Sequence, residues 1–131
     1  MTYEGVTMKV MTLLVAMLLA AVSMTAEAGN PVSFKGDIRP ILDDYCLSCH
    51  VPGGKGFEKS KLDLSSYQSL MKGTQFGPVV KPGDSQNSTL NMLIEGRADP
   101  SISMPYGIKG SLSPDKVRLF KRWVDQGAKD N

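Results

Sequence analysis

Histidine is nearly missing from this 131-residue chain, which holds one, His50, alongside two cysteines and one tryptophan. A structural zinc site normally takes four protein ligands, and three such side chains do not complete one. An excess of one charge is missing too: 15 Lys and Arg face 13 Asp and Glu, a formal +2, which leaves no electrostatic footprint for nucleic acid. The longest apolar run, Val10 to Val22, has thirteen residues and falls short of the roughly 20 that a membrane-spanning helix needs. Sustained period-two alternation, internal repeats and low-complexity stretches are absent. That leaves an all-α class with long loops.

What is present begins with a leader. Lys9 precedes the apolar run, and Ala26-Glu27-Ala28 supplies small residues at both positions a signal peptidase reads. Residues 1–28 are therefore expected to be a signal peptide cleaved before Gly29, leaving a soluble exported domain over 29–131. No cysteine sits near the cleavage point, so a lipid anchor has no attachment atom. Met8-Lys9 would itself make a conventional start with a basic n-region, and the mature chain is the same from either methionine. Losing Lys9, Glu4 and Glu27 leaves 14 basic and 11 acidic residues in a domain of 103. All eight prolines and twelve of the thirteen glycines lie there, so much of it is loop. A loop-rich domain of this size buries a limited share of its surface and usually needs a covalent or metal staple.

Helical signals punctuate the loops. Phe34, Ile38, Ile41, Leu42 and Tyr45 follow the spacing of one helix face. The first helix is expected to take Asp37 as its N-cap, admit Pro40 in its first turn and end near Cys49. Val51 to Lys61, with three glycines and Pro52, reads as a surface loop, after which Leu62 and Leu64 turn inward. Short helices are expected over 65–72, stopped by Gly73, and over 85–95, stopped by Gly96. Residues 96–113 carry too many breakers for a regular element. Ser113-Pro114-Asp115 opens the last helix, with Val117, Phe120, Trp123 and Val124 on its buried face and Gly127 at its end.

The chemistry concentrates in Cys46-Leu47-Ser48-Cys49-His50. A C-x-x-C-H sequence in an exported chain is the attachment signature of c-type haem. Two thiols on a closing helical turn each add across one haem vinyl group, and the adjacent imidazole meets the iron. A disulfide across so short a loop would restrict the unfolded chain little and leave His50 unexplained. A thioredoxin-like pair needs a βαβ context that this sequence lacks.

With one histidine, the sixth iron position points to a thioether. Met71, Met92 and Met104 survive signal removal. The first two lie in helical apolar patterns where methionine is ordinary core filling. Met104 stands in an irregular stretch before Pro105, which biases the preceding backbone to an extended form. His50 and Met104 are thus the expected metal ligands, and Cys46, Cys49, His50 and Met104 the cofactor-binding set. Such ligation tends to raise the reduction potential and fills the site a substrate would need, so electron transfer is expected rather than catalysis.

On these residues the chain resembles a class I monohaem cytochrome c, and more closely the planctomycete-type cytochrome c domain. The resemblance spans roughly 33–128. It is carried by Asp37-Ile38-Arg39-Pro40-Ile41-Leu42, the Cys46 to His50 motif, Leu62-Asp63-Leu64, Pro82-Gly83-Asp84, Met104-Pro105 and Trp123-Val124-Asp125-Gln126-Gly127-Ala128. It implies three to four helices with long loops around one covalent haem c, the terminal helices crossing beside it through Phe34, Ile38, Phe120 and Trp123. Cys46 and Cys49 would hold the thioethers, with His50 proximal and Met104 distal. The expected protein is a periplasmic or otherwise exported one-electron carrier. It is a monomer without a membrane anchor, and it meets redox partner proteins as separate molecules.

Partner docking is expected around an exposed haem edge. Lys55, Lys59, Lys61 and Lys109 offer a local basic patch, with solvated loop lysines as the plainer explanation. Two other classes compete: a small haem peroxidase or ligand sensor in which Met104 is off the iron, and a haem-bearing electron-entry subunit held by a larger oxidoreductase.

Overall fold

The first ordered turn of the domain is built by a serine. In the computed structural model, which describes residues 29–107 and 112–131, the Ser33 hydroxyl accepts from Gly36 N–H at 3.0 Å, and Asp37 Oδ2 accepts from Ser33 N–H at 2.8 Å. This reciprocal cap starts the helix at Phe34, so Asp37 is not the N-cap that the sequence predicts: Ser33 takes that place and Asp37 closes the box from inside. The turn Phe34–Ile38 is wide, with Ile38 N–H reaching Ser33 C=O and Arg39 N–H reaching Phe34 C=O, five residues back. It leads into α1, Arg39–Tyr45, whose first turn holds Pro40 at no cost in hydrogen bonds. Regular helix ends at Tyr45 rather than near Cys49.

Four more α-helices follow: α2 Lys55–Ser60, α3 Tyr67–Lys72, α4 Thr89–Ile94 and α5 Pro114–Asp125, with a 3₁₀ turn at Pro100–Ile102. No strand occurs among the described residues, only an isolated bridge between Thr74 and Gly77. Among the described residues the class is all-α, with five α-helices in place of the three to four expected. The added one is α2, inside the stretch that reads as loop. Of the expected short helices, 65–72 becomes α3, capped by a reciprocal Ser66–Ser69 box and stopped by Gly73 at φ +84°. The helix expected over 85–95 shortens to α4. The leader over 1–28 and the lysine at 109 lie outside the described residues.

Residues Pro31–Asn131 form one compact unit, and its centre is where the two ends of the domain meet. Phe34, Ile38, Ile41 and Leu42 are buried together with Phe120, Trp123 and Val124, as the helical spacing of both segments requires. The Phe34 and Trp123 ring centroids stand 5.5 Å apart, and Tyr67 meets Phe34 edge-on at 5.2 Å. Polar ties lock this contact. Lys35 N–H donates to Asn131 C=O and Phe34 N–H to Asn131 Oδ1. Tyr67 Oη donates to Ala128 C=O at 2.9 Å, and Trp123 Nε1 donates to Lys129 C=O at 2.9 Å. Leu62 and Leu64 turn inward as expected. Among the described residues no helix is long and apolar enough to cross a membrane.

Candidate functional site

The end of α1 delivers the reactive side chains. Cys46 N–H closes on Leu42 C=O at 3.0 Å, and Cys46 C=O then accepts from both Cys49 N–H, at 3.2 Å, and His50 N–H, at 3.0 Å. Two thiols and one imidazole therefore leave a single hydrogen-bonded turn that is anchored on the buried face of α1. Both cysteines are free: Cys46 is half-buried against the core and Cys49 is exposed. Burial, reinforced by the nearby Cys49, pushes the Cys46 thiol up to about 11, so it stays protonated at neutral pH.

His50 is buried. Burial lowers its pKa from the ordinary imidazole value, with the Leu62 backbone carbonyl pulling the other way. A neutral imidazole keeps the lone pair that a metal requires. Its Nδ1 is buried and makes no well-formed hydrogen bond, the Leu62 carbonyl lying near enough to act on the ring but not to pair with it closely. An orphaned ring nitrogen beside two unpaired thiols is what a metal-bearing cofactor attached to this turn would explain.

The wall behind the turn comes from the segment that reads as loop. Phe57 N–H donates to Cys49 C=O at 2.9 Å, Leu64 N–H donates to His50 C=O at 2.8 Å, and Glu58 N–H donates to Gly54 C=O. Two glycines make this approach possible. A Cβ on Gly54 would stand 2.5 Å from Cys49 O, and one on Gly56 would stand 2.7 Å from His50 Cε1 and 2.8 Å from Nε2. They are there for clearance, which is why α2 carries no apolar period for sequence reasoning to find.

Met104 sits one residue beyond the 3₁₀ turn and its C-cap Ser103, half-buried against the same apolar cluster as Cys46. Its N–H reaches Leu93 C=O near the end of α4 at 3.4 Å. Met71 packs half-buried on that cluster as well, and Met92 is only half-buried. Neither is fully enclosed core filling, although each lies on its expected helix. Met104 is set apart by its place in an irregular segment. Tyr45, Leu47 and Tyr67 are further half-buried apolar side chains on the core's edge, surface that a flat apolar group can cover. The donor set, the orphaned imidazole and this apolar rim together fit a haem.

Of the lysines, Lys61 is engaged, donating to Glu58 at 2.8 Å and lying 5.1 Å from the Phe57 ring centroid. Lys55 and Lys59 are exposed on α2. Sequence reasoning missed Asn91, which is fully buried on α4 with both amide atoms unpartnered. A polar residue inside an apolar helical stretch was the only signal that could have found it.

Residues 46–105 match the family model described as Planctomycete cytochrome C. The matched span opens on the first thiol and closes one residue past Met104. No curated protein and no solved structure matches the chain. The match points to a haem-binding electron-transfer protein with haem c as its cofactor and to no specific enzyme. Both thiols, the imidazole and the Met104 loop lie inside the matched span, and over that span the chain is similar to the planctomycete cytochrome c family.

Proposed function

We propose that this protein is an exported class I monohaem cytochrome c that carries one electron at a time between separate redox partner proteins. The observation that carries the reading is the single turn presenting Cys46, Cys49 and a buried, neutral His50 within the family span. Cys46 and Cys49 would hold the haem through thioethers, and His50 and Met104 would be the residues that ligate its iron. When bound, the haem supplies a one-electron ferrous/ferric couple.

The chain's own residues bind, orient and insulate. The Cys46–His50 turn fixes the attachment points to the terminal-helix core, so the site moves with the most buried part of the domain. Burial keeps His50 unprotonated and available. The half-buried set of Leu47, Tyr67, Met71 and Met104 supplies apolar cover, which lowers the local dielectric and thereby helps set the potential. Residues 1–28 act as a cleaved signal peptide that delivers the chain to the periplasm or beyond, where the product is a monomer without a membrane anchor.

The test is expression in cells equipped for c-type maturation, followed by intact-mass measurement and pyridine haemochrome spectroscopy of the exported product. One haem per chain on a polypeptide beginning at Gly29 is the expected result, and Cys49→Ala should sharply lower haem recovery. A colourless product weighing no more than its amino acids overturns the proposal.

A further inference from the structure

Four polar side chains are buried among the described residues: His50, Ser85, Ser88 and Asn91. The two serines are satisfied. Ser85 Oγ accepts from Lys121 Nζ at 2.9 Å. Ser88 Oγ donates to Asp84 C=O at 2.8 Å and accepts from Lys81 N–H at 2.8 Å. The two that remain are His50, through Nδ1, and Asn91, through both Nδ2 and Oδ1.

Orphans of this kind are rare in folded proteins and destabilising, so each calls for a cause. The proposed cytochrome supplies one for His50. Asn91 is the more demanding case, because a fully enclosed carboxamide leaves two donors and an acceptor unpaired at once. An apolar residue of similar shape would fill the same space without that cost.

Its placement ties it to the proposed iron centre. Asn91 shares the buried face of α4 with Leu90 and Ile94, and both belong to the apolar cluster on which Cys46 and Met104 pack. The same helix accepts the Met104 N–H through Leu93 C=O, so the loop bearing the proposed sixth ligand and the helix bearing Asn91 are joined. We propose that Asn91 is a positioning residue of the haem centre, its Nδ2 donating a hydrogen bond to an acceptor there, either the Met104 thioether or a haem propionate. This rests on the haem reading above and adds to it a residue that sets how tightly the oxidised and reduced centres are held.

The test uses the haem-loaded exported product and its Asn91→Leu variant, which keeps the volume and removes the donor, with Asn91→Ala as a second donor-free variant should the first fail to fold. Haem content is checked in every sample by haemochrome and intact mass. The redox equilibrium with a fixed mediator should shift about two- to tenfold, tenfold being about 59 mV for one electron, and Asn91→Leu should melt at a lower temperature than the parent. If the acceptor is the thioether, the near-infrared thioether-to-ferric-iron band moves or weakens. If it is a propionate, that band stays and the propionate-bending line in the resonance Raman spectrum moves.

A haem-loaded Asn91→Leu protein with unchanged equilibrium and spectra, melting hotter because an unpaired amide has been removed, overturns the inference while leaving the cytochrome standing. For Asn91→Ala the redox equilibrium alone decides in the same way. A parent protein without haem overturns both.

Discussion

The two sides of the proposed haem centre are built to different standards. The side carrying Cys46, Cys49 and His50 is an extension of α1, and α1 belongs to the contact where the two ends of the described domain meet. Phe34, Tyr67 and Trp123 interlock there, and Asn131, Ala128 and Lys129 are all hydrogen-bonded back into the domain. The side carrying Met104 is a connection between α4 and α5 whose described residues contain one 3₁₀ turn and no longer element. Its backbone tie to α4 is long at 3.4 Å, and it leaves Ile102 and Tyr106 largely exposed. Rigid elements hold attachment points more precisely than loops do, whereas loops open at lower free-energy cost. In the proposed cytochrome, the residues that would attach the haem and His50 belong to the first kind of structure, and Met104 to the second.

The comparison breaks most completely at Trp123. Its side chain is almost fully buried and donates to Lys129 C=O, so Trp123→Ala should cost about 3–5 kcal/mol. A loss of that size takes most of the stability of a small domain. Chemical denaturation of the haem-loaded variant checks it, and a loss below about 1 kcal/mol would show that the terminal contact does not hold the proximal side.

Gly56→Ala probes the same side more gently. Alanine ordinarily improves a helical position by up to about 1 kcal/mol. Here its methyl would meet the imidazole at 2.7 Å, and overpacking of that kind costs about 1–3 kcal/mol. The net expectation is a destabilisation of about 1–2 kcal/mol together with an altered low-spin ferric electron paramagnetic resonance spectrum, because the ring must turn. A variant more stable than the parent would show that His50 has room to spare.

Both positions bear on what could be read from the residues alone. The Cys46–His50 motif and the apolar faces of the first and last helices were legible because each is written in local spacing, and a 3.6-residue period survives any tertiary arrangement. The helix α2 was not, because it approaches through backbone: Gly56 within it and Gly54 at its N-cap leave room for His50 and Cys49, and a residue with no side chain leaves no hydrophobic signal. The start at Ser33 was missed because Asp37 is an equally good cap by composition, and only the wide turn lets both act together. The burial of Asn91 is a tertiary fact whose one local sign is a polar residue inside an apolar helical stretch.

Met104→Ala tests the looser side. Half-buried on the core's edge, the side chain should contribute only about 1 kcal/mol to stability by packing, less than an enclosed methionine does. The thioether-to-ferric-iron band should disappear and the potential fall, since histidine and methionine together favour a high potential, with the covalent haem retained. An unchanged spectrum and potential would move the sixth ligand elsewhere, and Met71, half-buried on the same cluster, would be the next residue to replace.

The smallest expected effect sharpens the contrast from outside the site. Asp125, at the end of α5, accepts from Ser85 N–H at 3.0 Å and from Lys121 Nζ at 3.1 Å. Burial acts to raise its pKa, but the hydrogen bonds from Ser85 and the Lys121 ammonium outweigh it, so the folded-state value lies below the ordinary carboxylate one. A group depressed in the folded state stabilises the fold above its unfolded value, and that contribution is lost as pH falls through the folded one. Asp125 should therefore add to stability at neutral pH and lose its contribution below about pH 4. Because its side chain is 43% exposed, screening holds the effect to at most about 1 kcal/mol. Thermal melts of the parent and Asp125→Asn between pH 7 and pH 3 should converge on acidification, because protonation removes in the parent what the substitution has already removed in the variant. Curves that stay parallel would mean that Asp125 acts through its hydrogen-bonded shape and not through its charge.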